Sequence, residues 1–487
     1  MSTSEFDGYK VDHLFLLIGE NPLPNYVAAK MLLEEGGKPY LVFSERTEKP
    51  AERLKEELGL SDNEMVPLNN NEANSYEIKK RIREKIKEIQ REIISKYPDK
   101  NQFGLNYTGG TKAMAAHAYQ ALLILDDNDS KIQLNPPPSF SYLDSSSLKM
   151  LVEQKGNPIP IDVNLKEKLS LKNVFDLHEP WSQKQPPIEN PKLPELAKEI
   201  AVLHTDVNVA RAWRWWCDYV LRRNARNSQK PSEWLKEDCL KNITIPLQAN
   251  IADINLTEYL VTLMNSVNKD DSVSEIIQNI LHIFKDNEFK KIREMSQLSN
   301  SLWSSSNTQY IEKIVALIQS SLGLSGAELS LADASQKGEF KKIKHLCKWL
   351  DGEWLEHHVL QEIKNISSPD NFISDSKMSF HIQDDKGNDK FEFDVAFIHN
   401  YQLFAISCTT DTEPGLCKLK LFEAYRRTRQ MGGDEARVAL VCCYEKPEKI
   451  KKGFMAQIQD ENVNVFGCGE LAKLSESLKI WIQKVDK

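Results

Sequence analysis

The stretch "LNYTGGTKAM", Leu105 to Met114, sets two glycines, two threonines and a lysine where an apolar run hands over to a helix-like one. Backbone amides of a glycine-rich turn at a helix N-terminus cradle phosphate oxygens, and the helix dipole and a nearby Lys add attraction. These residues suit something anionic; the plainer reading is a turn with a capping Thr. The Walker pattern is missing, because Lys112 follows Thr111 rather than Gly. The dinucleotide fingerprint is missing too, since "GENPLPNY" (Gly19–Tyr26) follows the first apolar strand. Far along the chain, Asp394 lies within "FEFDVAFI", flanked by Val395 and Phe397. An unpaired carboxylate buried there would be costly, which argues for a bound cation.

Other polar groups narrow the chemistry. Lys420, Glu423, Arg427 and Gln430 are spaced i, i+3, i+7 and i+10, so they share one helix face. That stripe is either a relocated set of chemical groups or a solvated face with one ion pair. His357 and His358 lack H-E-x-x-H spacing, which speaks against zinc. Ser407 has no His near it in sequence, so it is not expected to act as a nucleophile, and its removal should matter little.

The elements that must position these groups follow from the patterning. At 487 residues the chain is too long for one core, and two or three domains are expected. Its composition, 40% apolar and 28% charged, is that of a soluble globular protein. No apolar run reaches the ~18 residues of a membrane span. The N-terminus lacks an apolar signal core, so nothing argues for export. Eight cysteines without a C-x-x-C pair read as reduced thiols, and a cytoplasmic location is expected. A net charge of −8 gives no global attraction for nucleic acid, so such contacts need local basic patches.

Residues 1–160 alternate strand and helix patterns. "VDHLFLLI", "PYLVF" and "FGLN" read as buried strands, and Ile78, Ile82, Ile86, Ile89 and Ile93 mark an amphipathic helix. Thr111–Asp126 reads as a second helix, and "FSYLD" with "LKMLVE" as a hairpin. A mainly parallel, Rossmann-like sheet is expected. "EPWSQKQPPIENPKLPEL" reads as a linker, and residues 161–337 as linker plus a helical segment with no Gly between Asn157 and Leu322. There, Trp213, Trp215 and Trp216 mix with Arg211, Arg214, Arg222, Arg223 and Arg226; a packed helix with a solvated Arg face competes with a nucleic-acid surface. Residues 338–487 give helix–strand–strand–strand–helix–strand, a compact α/β unit.

"LIGENPLPNYVAAKML" together with "NYTGGTKAM" resembles the CARF domain (CRISPR-associated Rossmann fold) over roughly residues 10–155. The resemblance implies a dimer that binds a cyclic oligoadenylate across its two-fold axis, most readily the four-membered ring. It places Gly19, Glu20 and Asn21 in one ligand loop. It places Asn106, Thr108, Gly109, Gly110, Thr111 and Lys112 in the other. "WLE", the later "FD" and a "GG"-terminated helix resemble the PD-(D/E)xK nuclease core, a restriction-endonuclease-like α/β domain, as fused to CARF in CRISPR ancillary nucleases. That implies Glu356 and Asp394 as ligands of Mg²⁺ or Mn²⁺, and RNA or single-stranded DNA as substrate.

One departure stands out. The family's E-x-K falls on Ser407-Cys408-Thr409, so a carboxylate and a lysine are missing from the third strand. Either their roles have moved to Glu423, as a metal ligand, and to Lys420, or the nuclease site is dead and the chain is a sensor acting through a partner. A ligand-responsive transcription regulator would need a helix-turn-helix, for which no convincing pattern exists. The implied whole is a homodimeric, ligand-gated nuclease of type III CRISPR defence.

Overall fold

The computed structural model describes residues 8–94, 101–217, 237–246, 308–366 and 373–483, except positions 124, 128–129, 133, 146, 155–156, 164, 166–167, 184, 243 and 385. The N-terminal sheet comprises β1 (Val11–Leu17), β2 (Leu33–Phe43), β3 (Met65–Pro67), β4 (Phe103–Asn106), β5 (Ser139–Asp144), β6 (Lys149–Gln154) and β7 (Asn157–Asp162), in the order β3-β2-β1-β4-β5-β6-β7. The first five are parallel and the last two antiparallel. The expected hairpin is present and gains a third strand. β1 is buried along its whole length, as a strand covered on both faces must be.

Among the helices that flank that sheet are α1 (Leu23–Leu32), α2 (Ser75–Ile89) and α3 (Lys112–Leu123), and the helix Glu48–Leu58 packs on β2. In α2 the isoleucines at 78, 82, 86 and 89 are buried, and Asn74 caps the helix by accepting from the amides of Tyr76 and Glu77. α3 ends at Leu123 instead of Asp126, and Leu125–Asp127 pairs with Ser130–Ile132. The sequence "DDND" there favours a turn over further helix.

The proline-rich stretch is more than a tether. It follows α4 (Leu171–His178), and within it β8 (Ser182–Gln183) joins the second sheet while Ile188 bridges Met378. Backbone donors and acceptors there find partners that a free linker would leave to water. In the helical segment, Trp213 is buried and donates to the Leu350 carbonyl at 2.7 Å, while Arg214 meets Asp351 at 3.4 Å. Arg222, Arg223 and Arg226 lie outside the described residues.

The second sheet runs β8, then β9 (Ile373–Gln383), β10 (Asp389–His399), β11 (Gln402–Thr409), β12 (Arg437–Cys442) and β13 (Val463–Phe466). β9, β10 and β11 form an antiparallel meander, and β12 and β13 add in parallel. Helix α5 (Trp354–Ile366) precedes the meander, and α6 (Pro414–Gly432) connects β11 to β12. One buried apolar cluster runs from Leu14 and Leu16 of β1 through Trp213 to Phe397 and Phe404 of β10 and β11. The described cysteines are buried thiols. No described helix is long and apolar enough to cross a membrane.

Candidate functional site

The N-terminal crevice is set by strand order. Successive strands run outward from β1 to β2 and β3, whereas β4 lies on the other side of β1. Such a switch point opens a crevice beyond the carboxyl ends of the two strands, where ligands of open α/β sheets settle. Leu16 pairs with Asn106, so the loops after β1 and β4 emerge side by side. Gly19, Glu20 and Asn21 occupy the first loop, and Thr108 to Thr111 the second. A Cβ on Gly109 would stand 2.2 Å from the Leu17 carbonyl oxygen, and Gly110 has a φ of +74°. Only glycine fits both positions.

Around them each side chain has a distinct task. Asn106 is fully buried; its amide donates to Ser141 at 3.1 Å and its oxygen accepts from the Thr108 amide, so it shapes the loop from beneath. Thr108 accepts from the Leu143 amide at 2.7 Å. Thr111 caps α3, accepting from the Met114 amide at 3.1 Å. Lys112, at the start of α3, is exposed, and exposed Glu20 pairs with Arg46. Lys112 and the N-terminus of α3 thus place positive charge and free amides together beside the second loop. Asn21 instead turns toward the C-terminal sheet, donating to Glu435 at 2.6 Å.

The second site lies on that sheet. α5 presents Glu356 in its first turn, and β10 presents Asp394 opposite Ser407 of β11. Asp394 accepts from the Cys408 amide at 2.7 Å and from the Ser407 hydroxyl at 3.0 Å. Ser407 therefore holds the carboxylate in place, a role its sequence context did not reveal. A cavity of about 170 Å³ is lined by Glu392, Asp394 and Ser407 on the strand side, and by Lys420, Glu423 and Arg427 from α6. A lysine and a glutamate of the following helix, Lys420 and Glu423, thus line the same cavity as Asp394. On the rest of α6, Phe422 and Tyr425 pack on Phe454, while Leu419 is 67% exposed.

Glu392 escapes notice in the sequence. It stands two residues before Asp394, and the period of two in a strand puts both on one face. That alternation in "FEFD" was the available signal.

The electrostatics are those of crowded acids. Enclosure, then the charges of Asp394, Glu392 and Glu353, raise the Glu356 carboxyl well above its ordinary range, with Lys420 opposing. Asp394 is raised by burial against the pull of Lys420 and its two donors. Glu392 is pushed up to about 7 by burial and by Asp394. Burial and the same carboxylates push the Cys408 thiol up, which keeps it protonated and inert. His357 accepts from the Lys192 amide at 2.9 Å, and His358 meets the Leu471 carbonyl at 3.0 Å, so both serve packing. Among the described residues, no three His, Cys, Asp or Glu side chains form a ready-made metal cage.

No curated protein matches the chain at the level of sequence. Among solved structures, protein VC1899 from Vibrio cholerae superposes with a TM-score of 0.56 at 13% identity, over 97% of this chain and 98% of its own. Can2 from Sulfobacillus thermosulfidooxidans, solved with cyclic tetra-adenylate, superposes with a TM-score of 0.53 at 15% identity, over 97% of this chain and 99% of its own. The chain thus shares the fold of these two proteins from end to end, and its residues 343–485 match the family described as the Card1-like endonuclease domain.

Proposed function

We propose that the chain is a nuclease of type III CRISPR antiviral defence, cytoplasmic and homodimeric, that cleaves RNA or single-stranded DNA once a cyclic oligoadenylate occupies its N-terminal crevices. The observation that carries this is the cavity in which α6 turns Lys420 and Glu423 toward Asp394 and Glu392, inside the segment that matches an endonuclease family. The switch-point crevice with Lys112 supports the ligand. The cyclic tetra-adenylate held by a protein of the same fold makes the four-membered ring the first candidate, one ring per dimer.

The carboxylate oxygens around Asp394 suit a hard divalent cation in their chemistry, and would have to draw closer than they stand here to hold one. Glu356 and Asp394 are crowded acids whose raised proton affinity a cation would relieve, and their oxygens suit Mg²⁺ or Mn²⁺. With Glu423 they would hold the ion, its other positions going to water and phosphate. When bound, it would supply Lewis acidity and a more acidic water. The chain's own residues do the rest. Ser407 and the Cys408 amide both donate to Oδ2 of Asp394 and so fix that carboxylate. Lys420 offers an ammonium to the water or the scissile phosphate, and Arg427 gives a second positive group on the same wall. Gating requires that the ring bind the active arrangement more tightly than the resting one.

The test is incubation of the full-length chain with Mn²⁺ and mixed RNA and single-stranded DNA substrates, with and without cyclic tetra-adenylate. Cleavage that rises sharply with the ring supports the proposal. Equal cleavage with and without any ring of three to six adenylates would remove the switch. No cleavage at all would favour the sensor with a degenerate nuclease domain.

A further inference from the structure

Helix α4 ends with His178 against the first ligand loop, and Glu179, just beyond it, touches the strand and the helix that wall the cavity. His178 is buried and meets the Asn21 side-chain oxygen at 3.0 Å through Nε2, while Nδ1 meets the Val174 carbonyl at 2.8 Å. Both partners are acceptors, and a neutral imidazole can donate to only one. The tautomer therefore decides whether His178 donates to Asn21, whose oxygen also accepts from the Leu23 amide at 3.1 Å. On the other side Asn21 is held firmly. Its amide donates to Glu435, whose side chain is buried, and Gly433 is so close that a Cβ there would stand 2.3 Å from the Asn21 nitrogen. Gly433 and Glu435 follow directly on α6. Gln402 of β11 donates to the Glu435 carbonyl at 2.8 Å, which ties this turn to the sheet.

The neighbouring Glu179 joins β10 to α6 just beyond the cavity, through residues that do not themselves line it. It accepts from Gln430 at 2.6 Å and from Lys390 at 3.4 Å. Lys390, Glu392 and Asp394 alternate onto one face of β10, and Lys420, Glu423, Arg427 and Gln430 share one face of α6. Glu179 thus clamps the far ends of both stripes. α4 is itself fastened to the N-terminal unit, since Arg53 donates to the Leu177 carbonyl at 2.8 Å.

We infer that Glu179 is a positioning residue for the nuclease cavity, and that the Asn21–His178 and Asn21–Glu435 contacts make its position depend on the ligand loop. The clamp sets the distance between the strand that carries Asp394 and the helix that carries Lys420 and Glu423. A ring that draws Asn21 into the crevice shifts α4 and the 433–435 turn together. This rests on the proposed ligand and cleavage.

The experiment uses the full chain, cyclic tetra-adenylate, Mn²⁺ and labelled single-stranded RNA and DNA. Glu179→Ala should lower kcat at saturating ring about tenfold or more, since a misplacement of ~1 Å can cost that much. KM and ring affinity should stay within about threefold, and Glu179→Gln, which keeps an acceptor for Gln430, should restore most of the rate. Glu435→Ala should shift the half-activating ring concentration about fivefold or more, the usual size of a coupling between sites. A readout free of cleavage accompanies these. Without ligand, Glu179→Ala should speed hydrogen exchange in residues 390–394 and 427–432; with the ring, the wild-type change in 414–435 should vanish in Glu435→Ala. Wild-type exchange and rates in both alanine variants, in a protein that the ring does activate, overturn the inference. If the wild type cleaves nothing, the cleavage reading fails, and unchanged exchange in Glu179→Ala then overturns the clamp separately.

Discussion

Replacing Glu392 by Gln should make the ion-free protein more stable and the nuclease poorer. The Glu392 carboxyl is pushed from 4.5 to about 7 by burial and by Asp394. At ~1.4 kcal/mol per pH unit, that shift is about 3.5 kcal/mol held against the ionised form. The side chain is 40% exposed, so solvent screening leaves about half or less, roughly 1–1.5 kcal/mol. Gln keeps the volume, cannot ionise, and still reaches His381, which now meets Glu392 at 3.3 Å. The sign follows from linkage. A carboxyl whose folded pKa lies above its unfolded value destabilises the fold at high pH, and the penalty fades as pH falls through about 7. Thermal unfolding in EDTA at pH 8 should therefore show the variant melting about 2–4 °C higher, and the gap should shrink as pH falls from about 7 and close below 4.5. Added Mn²⁺ should reverse the order, because a bound cation relieves the repulsion only where the charge exists. No gain at pH 8, or a gain that persists undiminished below 4.5, would refute the crowding of acids.

Three further outcomes are expected. Ser407→Ala removes one of the two donors on Asp394 and should lower ring-stimulated cleavage about threefold to thirtyfold, with a higher apparent pKa in the pH–rate profile. Lys112→Ala should weaken ring binding about tenfold or more by calorimetry, through loss of a charge-assisted contact, while the melting temperature stays within a degree or two. His204 is buried and its imidazole is pushed down to about 4 by burial. Its share of stability is full above the ordinary 6.5 and is lost as pH falls toward 4, so His204→Gln should flatten the pH dependence of unfolding free energy by up to about 1.4 kcal/mol per pH unit in that window.

The sequence made the elements legible where periodicity was strong. The isoleucine ladder of α2, the apolar run Leu14–Leu17 of β1 and the alternating strands around Asp394 all follow directly from side-chain spacing. The helix stripe of Lys420 and Glu423 was legible too, but its placement against Asp394 depends on α6 packing across β11 and β12, which no local pattern encodes. Glu392 was legible in principle from the period of two. Ser407 was not, because its bond to Asp394 depends on the register of β10 against β11. Nor was the contact of Asn21 with Glu435, 414 positions away in sequence. Prolines around residue 188 suggested a tether, and the edge pairing of Ser182–Gln183 depends on where the second sheet ends.

The central claim is that the lost third-strand chemistry now resides on α6, and a single comparison tests it. Ring-stimulated cleavage is measured with Mn²⁺ for the wild type, Asp394→Ala, Glu423→Ala and Lys420→Ala, with cyclic tetra-adenylate binding followed in parallel. Cleavage should be abolished in Asp394→Ala and Glu423→Ala and lowered at least about a hundredfold in Lys420→Ala, while the ring affinity of all four stays the same. Loss of cleavage in Asp394→Ala alone, with Glu423→Ala and Lys420→Ala behaving like the wild type, would contradict it.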